Sequence, residues 1–152
     1  VDYIKIGFFK SENVRACIIA LSPLAQQHKL IAVLFADQLP DFSLLDDLAE
    51  AGFYGVMLDT ANKQNGGLRD HMQLIDLIKF ISLSRKHSLF CGLAGSLRNT
   101  HIKELITLRP DYLGFRGALC ENNLREQKIS TDKIFSITNF LSLPKNEVTA
   151  FA

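Results

Sequence analysis

Short, nearly all-apolar runs alternate along this chain with longer stretches of helical period. The runs fall at about 1–9, 30–36, 54–59, 88–94 and 112–117. Helix-like stretches follow them at about 12–27, 42–51, 71–86, 100–108 and 131–141. Such alternation calls for a parallel sheet, because successive parallel strands need a crossover long enough to hold a helix. Runs without polar alternation are those of strands covered on both faces. Leu74, Ile75, Leu77, Ile78 and Ile81 trace an apolar stripe, and Asp70-His71 reads as the opening of that helix. Asn99-Thr100 marks another helix start, with Glu104 near the capping-box position. Gly52 and Pro110-Asp111 punctuate the returns from helix to strand.

Two architectures meet this pattern, a doubly wound open sheet and a β/α barrel. No Gly-x-Gly-x-x-Gly follows the first run, which weakens the dinucleotide-binding alternative. Polar groups recur at the expected strand C-termini: Lys5, Asp37, Asp59, Ser96 and Arg116. Chemistry carried on several strand ends at one face is the mark of the barrel. A complete barrel needs roughly 250 residues, and this chain has 152. The expected fold class is therefore α/β, a partial TIM-type β/α barrel of about five C-terminal βα units with parallel strands. The chain opens on Val1, directly into a strand-like run. Residues 1–152 are read as the C-terminal part of a single barrel domain whose N-terminal strands are absent. Two open sheet edges would then invite pairing, so a homo-oligomer is expected.

Composition limits the partners. The formal net charge is +1, which gives no general electrostatic case for nucleic acid or an anionic membrane. No apolar run approaches the ~20 residues that span a bilayer. Cys17, Cys91 and Cys120 are far apart, without metal-ligand spacing. An odd, scattered set reads as reduced thiols of a cytoplasmic protein, packed in the core rather than nucleophilic. Neither a metal nor an organic cofactor is expected.

The first candidate constellation is Asp59 with Lys63, a carboxylate ending an apolar run and an amine four residues on. It reads either as a proton-transfer pair at a carbonyl site or as a local ion pair capping a loop. Lys5 lies within Tyr3-Ile4-Lys5-Ile6-Gly7. If it faces inward, Tyr3 and Gly7 do too, and Ile4 and Ile6 face the helices. Burial would make it a usable base; the alternative is an apolar stem with a snorkelling head. Asp37 ends the run 31–36 and is either a site residue or a cap before Pro40. The loops around Gly95-Ser96 and Arg116-Gly117 follow the last two runs. In barrels those two loops often hold phosphate on backbone N–H groups. The alternative is a pair of ordinary turns. His71 reads as a catalytic histidine or, more commonly, a solvated one, and His28, His87 and His101 as surface or loop residues.

At these residues the chain resembles the (5-formylfuran-3-yl)methyl phosphate synthases, also called 4-(hydroxymethyl)-2-furancarboxaldehyde phosphate synthases. The matching stretches are Asp2-Tyr3-Ile4-Lys5-Ile6-Gly7, Ala36-Asp37, Gly55-Val56-Met57-Leu58-Asp59-Thr60-Ala61-Asn62-Lys63, Leu93-Ala94-Gly95-Ser96-Leu97 and Gly114-Phe115-Arg116-Gly117-Ala118-Leu119-Cys120. The resemblance implies a barrel that condenses two molecules of glyceraldehyde 3-phosphate to a furan aldehyde phosphate. One phosphate and water are lost, and the product feeds methanofuran biosynthesis. It implies a small phosphorylated aldehyde as substrate, Lys5 as proton acceptor, and Asp59 and Lys63 as further catalytic groups. Asp37, Gly95, Ser96, Arg116 and Gly117 are the expected substrate and phosphate contacts. Two departures stand out. The family's Schiff-base lysine lies on an early strand with no counterpart here, and Gln64-Asn65-Gly66 replaces the family's usual Asp-Gly after Lys63. The first implies a fragment inactive by itself. The competing readings are a non-catalytic partial barrel that binds phosphorylated ligands or a protein partner, and an aldolase or isomerase acting on another sugar phosphate.

Overall fold

The computed structural model describes residues 1–62 and 64–142; Lys63 and residues 143–152 lie outside the described residues. Five strands form one sheet: β1 (Ile4–Phe8), β2 (Leu30–Phe35), β3 (Gly55–Asp59), β4 (Phe90–Leu93) and β5 (Tyr112–Leu113). Six helices accompany them: α1 (Val14–Ala25), α2 (Leu44–Glu50), α3 (Leu68–His71), α4 (Leu74–Lys86), α5 (Asn99–Thr107) and α6 (Thr131–Ser142). All strand pairs are parallel, in the order β1-β2-β3-β4-β5. A doubly wound sheet reverses direction partway, so that its helices cover both faces. Here the order never reverses, as in a barrel wall.

The register divides the side chains into two sets. Ile4, Ile6 and Phe8 align with Leu30, Ala32 and Leu34, and these with Val56 and Leu58 through the intervening pairs. This set packs with Ile18, Leu45, Leu48, Leu77, Phe80 and Ile81 of the helices in the main core. Lys5 and Gly7 align instead with Ile31 and Val33, and Val33 with Met57. These residues look away from the helices, together with Ala94, Tyr54, Phe90 and Tyr112. Lys5 therefore faces the inner side, with Ile4 and Ile6 on the helix side.

That inner side is concave. In a flat sheet β1 and β5 would stand roughly 19 Å apart, four spacings of about 4.8 Å. The Lys5 ammonium nevertheless lies 5.5 Å from the centre of the Tyr112 ring. Tyr112 in turn stacks on Phe90 at 5.2 Å. Curling is what brings the two edge strands to one cation–π contact.

Local chemistry explains the helix ends. Gly52 closes α2 with φ +86°, and the N–H groups of Gly52 and Phe53 donate to the carbonyls of Ala49 and Leu48 at 3.0 Å each. This is a Schellman ending, which an L-residue enters only with strain. Gly52→Ala is expected to cost about 1–2 kcal/mol in urea unfolding. Arg15 of α1 joins α2 by pairing with Asp47 and donating to Ser43 Oγ at 2.8 Å.

Several expectations are corrected. Glu104 does not box the start of α5; it pairs with Arg69 at 2.9 Å, tying α5 to α3. The cap is His101, whose Nδ1 accepts the Arg98 N–H at 3.2 Å. Burial, then the nearby Arg98 and Arg69 charges, hold His101 below its ordinary pKa, which suits a neutral accepting ring. Asp70-His71 does not open α4 but ends the one-turn α3, and α4 starts at Leu74, where Asp76 accepts the Gln73 N–H at 3.0 Å. In α4 the buried face is Leu77, Phe80, Ile81 and Ser84, whereas Ile75 and Ile78 are exposed. Cys17 is exposed rather than in the core; Cys91 and Cys120 are buried. Burial, reinforced by Asp111, pushes the Cys91 thiol up to about 12 despite the opposing hydrogen bond to Ser84, which leaves it unreactive.

Candidate functional site at the C-terminal pole

The loops that leave β2, β3, β4 and β5 meet at one pole of the sheet. Asp59 is the last residue of β3, half-buried, and aligned with Phe35 on the concave side. Its Oδ1 accepts the N–H of Thr60 at 2.7 Å, and Thr60 itself is buried. A carboxylate at this register position stands on the concave side at the C-terminal end of the strand.

Asp37 sits in a one-turn 3-10 helix, Ala36–Gln38, just beyond β2. Its Oδ1 accepts the Ala61 N–H and its Oδ2 the Asn62 N–H, each at 2.8 Å. Partial burial opposes its charge. The N–H groups of Asn62, Ala61 and Asp37 itself, with His71 nearby, outweigh that and hold its carboxyl below the usual carboxylate range. The cap expected at Asp37 thus exists, but it caps a loop 24 and 25 residues away rather than its own turn.

The far end of the same loop is tied as firmly. The ring of His71 meets the Asn65 carbonyl at 2.9 Å, and Asp70 accepts the Gly67 N–H at 2.6 Å. Leu68 N–H donates to the carbonyl of Gly95 at 2.8 Å. Gly95 is buried with φ +109°, and a Cβ there would come within 3.2 Å of the Thr60 amide and methyl. The β4 loop is therefore packed directly on the residue after Asp59, at a spot open only to glycine. Ser96, next in the chain, is exposed with φ +50°.

The β5 loop supplies the cation. Arg116 is exposed and lines a cleft of about 800 Å³ together with Ala61, Asn62, Gln64 and Arg125. Glu126 and Gln127 complete the wall. Gly117 opens the 3-10 turn Gly117–Leu119, and the group that crowds it is the Asn123 carbonyl, 3.1 Å from where a Cβ would stand. A second cleft, of about 710 Å³, lies at the opposite pole against His28, Lys29, Tyr54, Arg85 and Asp111, away from the expected site residues.

Asp37, Asp59, Gly95 and Ser96 thus belong to one cluster of interlocked loops, and Arg116 shares a cleft with Asn62 of that cluster. Lys5 differs from its expected place. It is the second residue of β1, not a C-terminal one, and its row aligns with Ile31, four residues before the Phe35 that pairs with Asp59. It is also exposed in this chain, not buried. Lys63 lies outside the described residues. Arg125 carries no sequence signal: it stands in the polar stretch 121–128, where no periodic or apolar pattern marks it. Among the described residues no three His, Cys, Asp or Glu side chains gather as a metal site. Nor is any described helix long and apolar enough to cross a membrane.

Comparison with known proteins bears on family and fold. The 4-HFC-P synthase family matches residues 1–138. A (5-formylfuran-3-yl)methyl phosphate synthase of Archaeoglobus fulgidus is 31% identical over 134 residues, covering 80% of this chain and 57% of that protein. A Methylorubrum extorquens protein provisionally named for the same activity is 38% identical over 140 residues, covering 88% of this chain and 56% of its own length. The chain thus spans little more than half the length of these relatives. Among solved structures, 3-hexulose-6-phosphate synthase from Salmonella typhimurium superposes with a TM-score of 0.65 at 16% identity. That match covers 92% of this chain and 61% of the other, and at this identity it speaks to the β/α-barrel fold alone. From the sequence match along most of its length, the chain belongs to the 4-HFC-P synthase family, the (5-formylfuran-3-yl)methyl phosphate synthases of methanofuran biosynthesis.

Proposed function

We propose that the protein containing this chain condenses two molecules of glyceraldehyde 3-phosphate to 4-(hydroxymethyl)-2-furancarboxaldehyde phosphate, and that the chain is the C-terminal part of its single β/α barrel domain. The observation that carries this reading is the meeting of the Asp59 loop with the Gly95-Ser96 loop and the Arg116 cleft at one pole, in a chain of this family.

The chemistry divides among these groups. The substrate carbonyl needs an amine to become an electron sink, a base for the adjacent proton, and donors for phosphate. Lys5, on the concave face, is the base. Asp59 and Lys63 relay protons and assist loss of phosphate. Ser96, Arg116 and the loop N–H groups near Gly95 and Gly117 take the phosphate. The family's Schiff-base lysine has no counterpart in residues 1–152, so the chain alone is expected not to turn over. Among the described residues β1 and β5 form the two edges of the sheet, and such edges favour self-association of a fragment. Two buried free thiols suit a reducing, cytoplasmic setting.

The test is Lys5→Ala in the complete protein. Product formation from glyceraldehyde 3-phosphate is expected to drop roughly 10²-fold or more, as for loss of a positioned general base. Near-normal product would remove Lys5 from the mechanism.

A further inference from the structure

We infer that Asp37 is a positioning residue for the loop that follows Asp59, and not a contact for substrate phosphate. The inference rests on the function proposed above for its kinetic arm only.

The geometry has three parts. Both oxygens of Asp37 are engaged by backbone N–H groups of the β3 loop, at Ala61 and Asn62. The other end of that loop is held by α3, through His71 on Asn65 and Asp70 on Gly67. Gly95, packed on Thr60 and accepting the Leu68 N–H, holds the start and the end of the loop against the turn after β4. Asp37 thus ties the β3 side of the loop, opposite the ties from α3. Its electrostatics point the same way. A carboxylate offers phosphate no donor and repels it, while charge-assisted bonds to two consecutive N–H groups fix a peptide plane firmly. The backbone held in this way runs directly on from the carboxylate assigned to proton transfer, and displacements of about 1 Å at such a site cost on the order of 10²-fold in rate.

The decisive variant is Asp37→Asn in the complete protein. Asparagine keeps the shape, but only one of its two terminal atoms can accept a hydrogen bond, so one of the two loop N–H groups is left facing a donor. Hydrogen exchange at Ala61 and Asn62 is expected to quicken about tenfold or more, with Leu34 and Leu58 in the neighbouring strands unchanged. With glyceraldehyde 3-phosphate, kcat is expected to fall roughly 10²-fold. KM, and inhibition by inorganic phosphate, should stay within about twofold. Asp37→Glu, which restores the carboxylate, should recover part of kcat and of the exchange protection. A large rise in KM and in the phosphate inhibition constant, with kcat kept, would make Asp37 a substrate contact and overturn the inference. So would unchanged exchange at both amides. If the unmodified protein forms no furan product, the proposed function fails instead, and the exchange experiment still decides for or against the clamp.

Discussion

Replacing Phe80 by Ala is expected to remove about 3–5 kcal/mol of folding stability, a large part of what a domain of this size possesses. The ring is fully buried on the inward face of α4, 5.3 Å from the ring of Phe42, among the side chains that the sheet turns toward the helices. The core it belongs to is rich in fully buried Leu and Ile side chains, so the space it would leave is not readily refilled. Ile78, two residues away, is 45% exposed on the same helix. Ile78→Ala is therefore the matched control, and its change should stay within about 0.5 kcal/mol. Urea unfolding of both variants gives the comparison. Equal losses at the two positions would mean that α4 presents a different face to the sheet.

The second large effect concerns activity rather than stability. Asp59→Asn is expected to lower product formation by the complete protein by about 10²–10⁴-fold. The amide preserves the size of the side chain, and its oxygen still accepts the Thr60 N–H that Asp59 Oδ1 holds at 2.7 Å. The loop should therefore keep its course, the melting temperature should hardly move, and the loss should appear in kcat. The substitution removes the negative charge and a proton acceptor. A variant with near-normal kcat would leave Asp59 as the local cap that its sequence setting equally allows, and would shift proton transfer to other groups at the pole.

How much of this was legible in the chain differs by level. The order of elements follows from the alternation of apolar runs with helical periods, and each expected strand and helix is present within a few residues. The last strand is the shortest. Of the run 112–117 only Tyr112–Leu113 pairs, because β4 itself ends at Leu93, the partner of Leu113. The two faces of β1 were also legible, since period two fixes Lys5 opposite Ile4 and Ile6. Choosing the buried face of α4 was not. Leu74, Ile75, Leu77, Phe80 and Ile78 offer more apolar positions than one stripe can bury, and only the approach of β4 selects Phe80 over Ile75. Ser84 is buried there too, made acceptable by a 2.8 Å bond from its hydroxyl to the Phe80 carbonyl. Cys17 misled in the same way, standing one step off the face set by Val14, Ile18 and Leu21.

The site shows the same division. Asp59, Gly95 and Arg116 are legible because each stands at or close to the C-terminal end of an apolar run, where a barrel carries its chemistry. The partners of Asp37 were not, because they lie 24 and 25 residues on and are joined only by folding. The setting of Lys5 suggests a strand end, and only the register moves it back toward the start of β1.

The most direct test of the central claim is to supply the native protein, purified from its source, with glyceraldehyde 3-phosphate alone and to follow the furan aldehyde phosphate and the inorganic phosphate released. The account predicts both, in equal amounts, from a native protein whose mass is well above the 17.0 kDa of this chain. Binding of the substrate without furan product, or conversion to a different sugar phosphate, would contradict it.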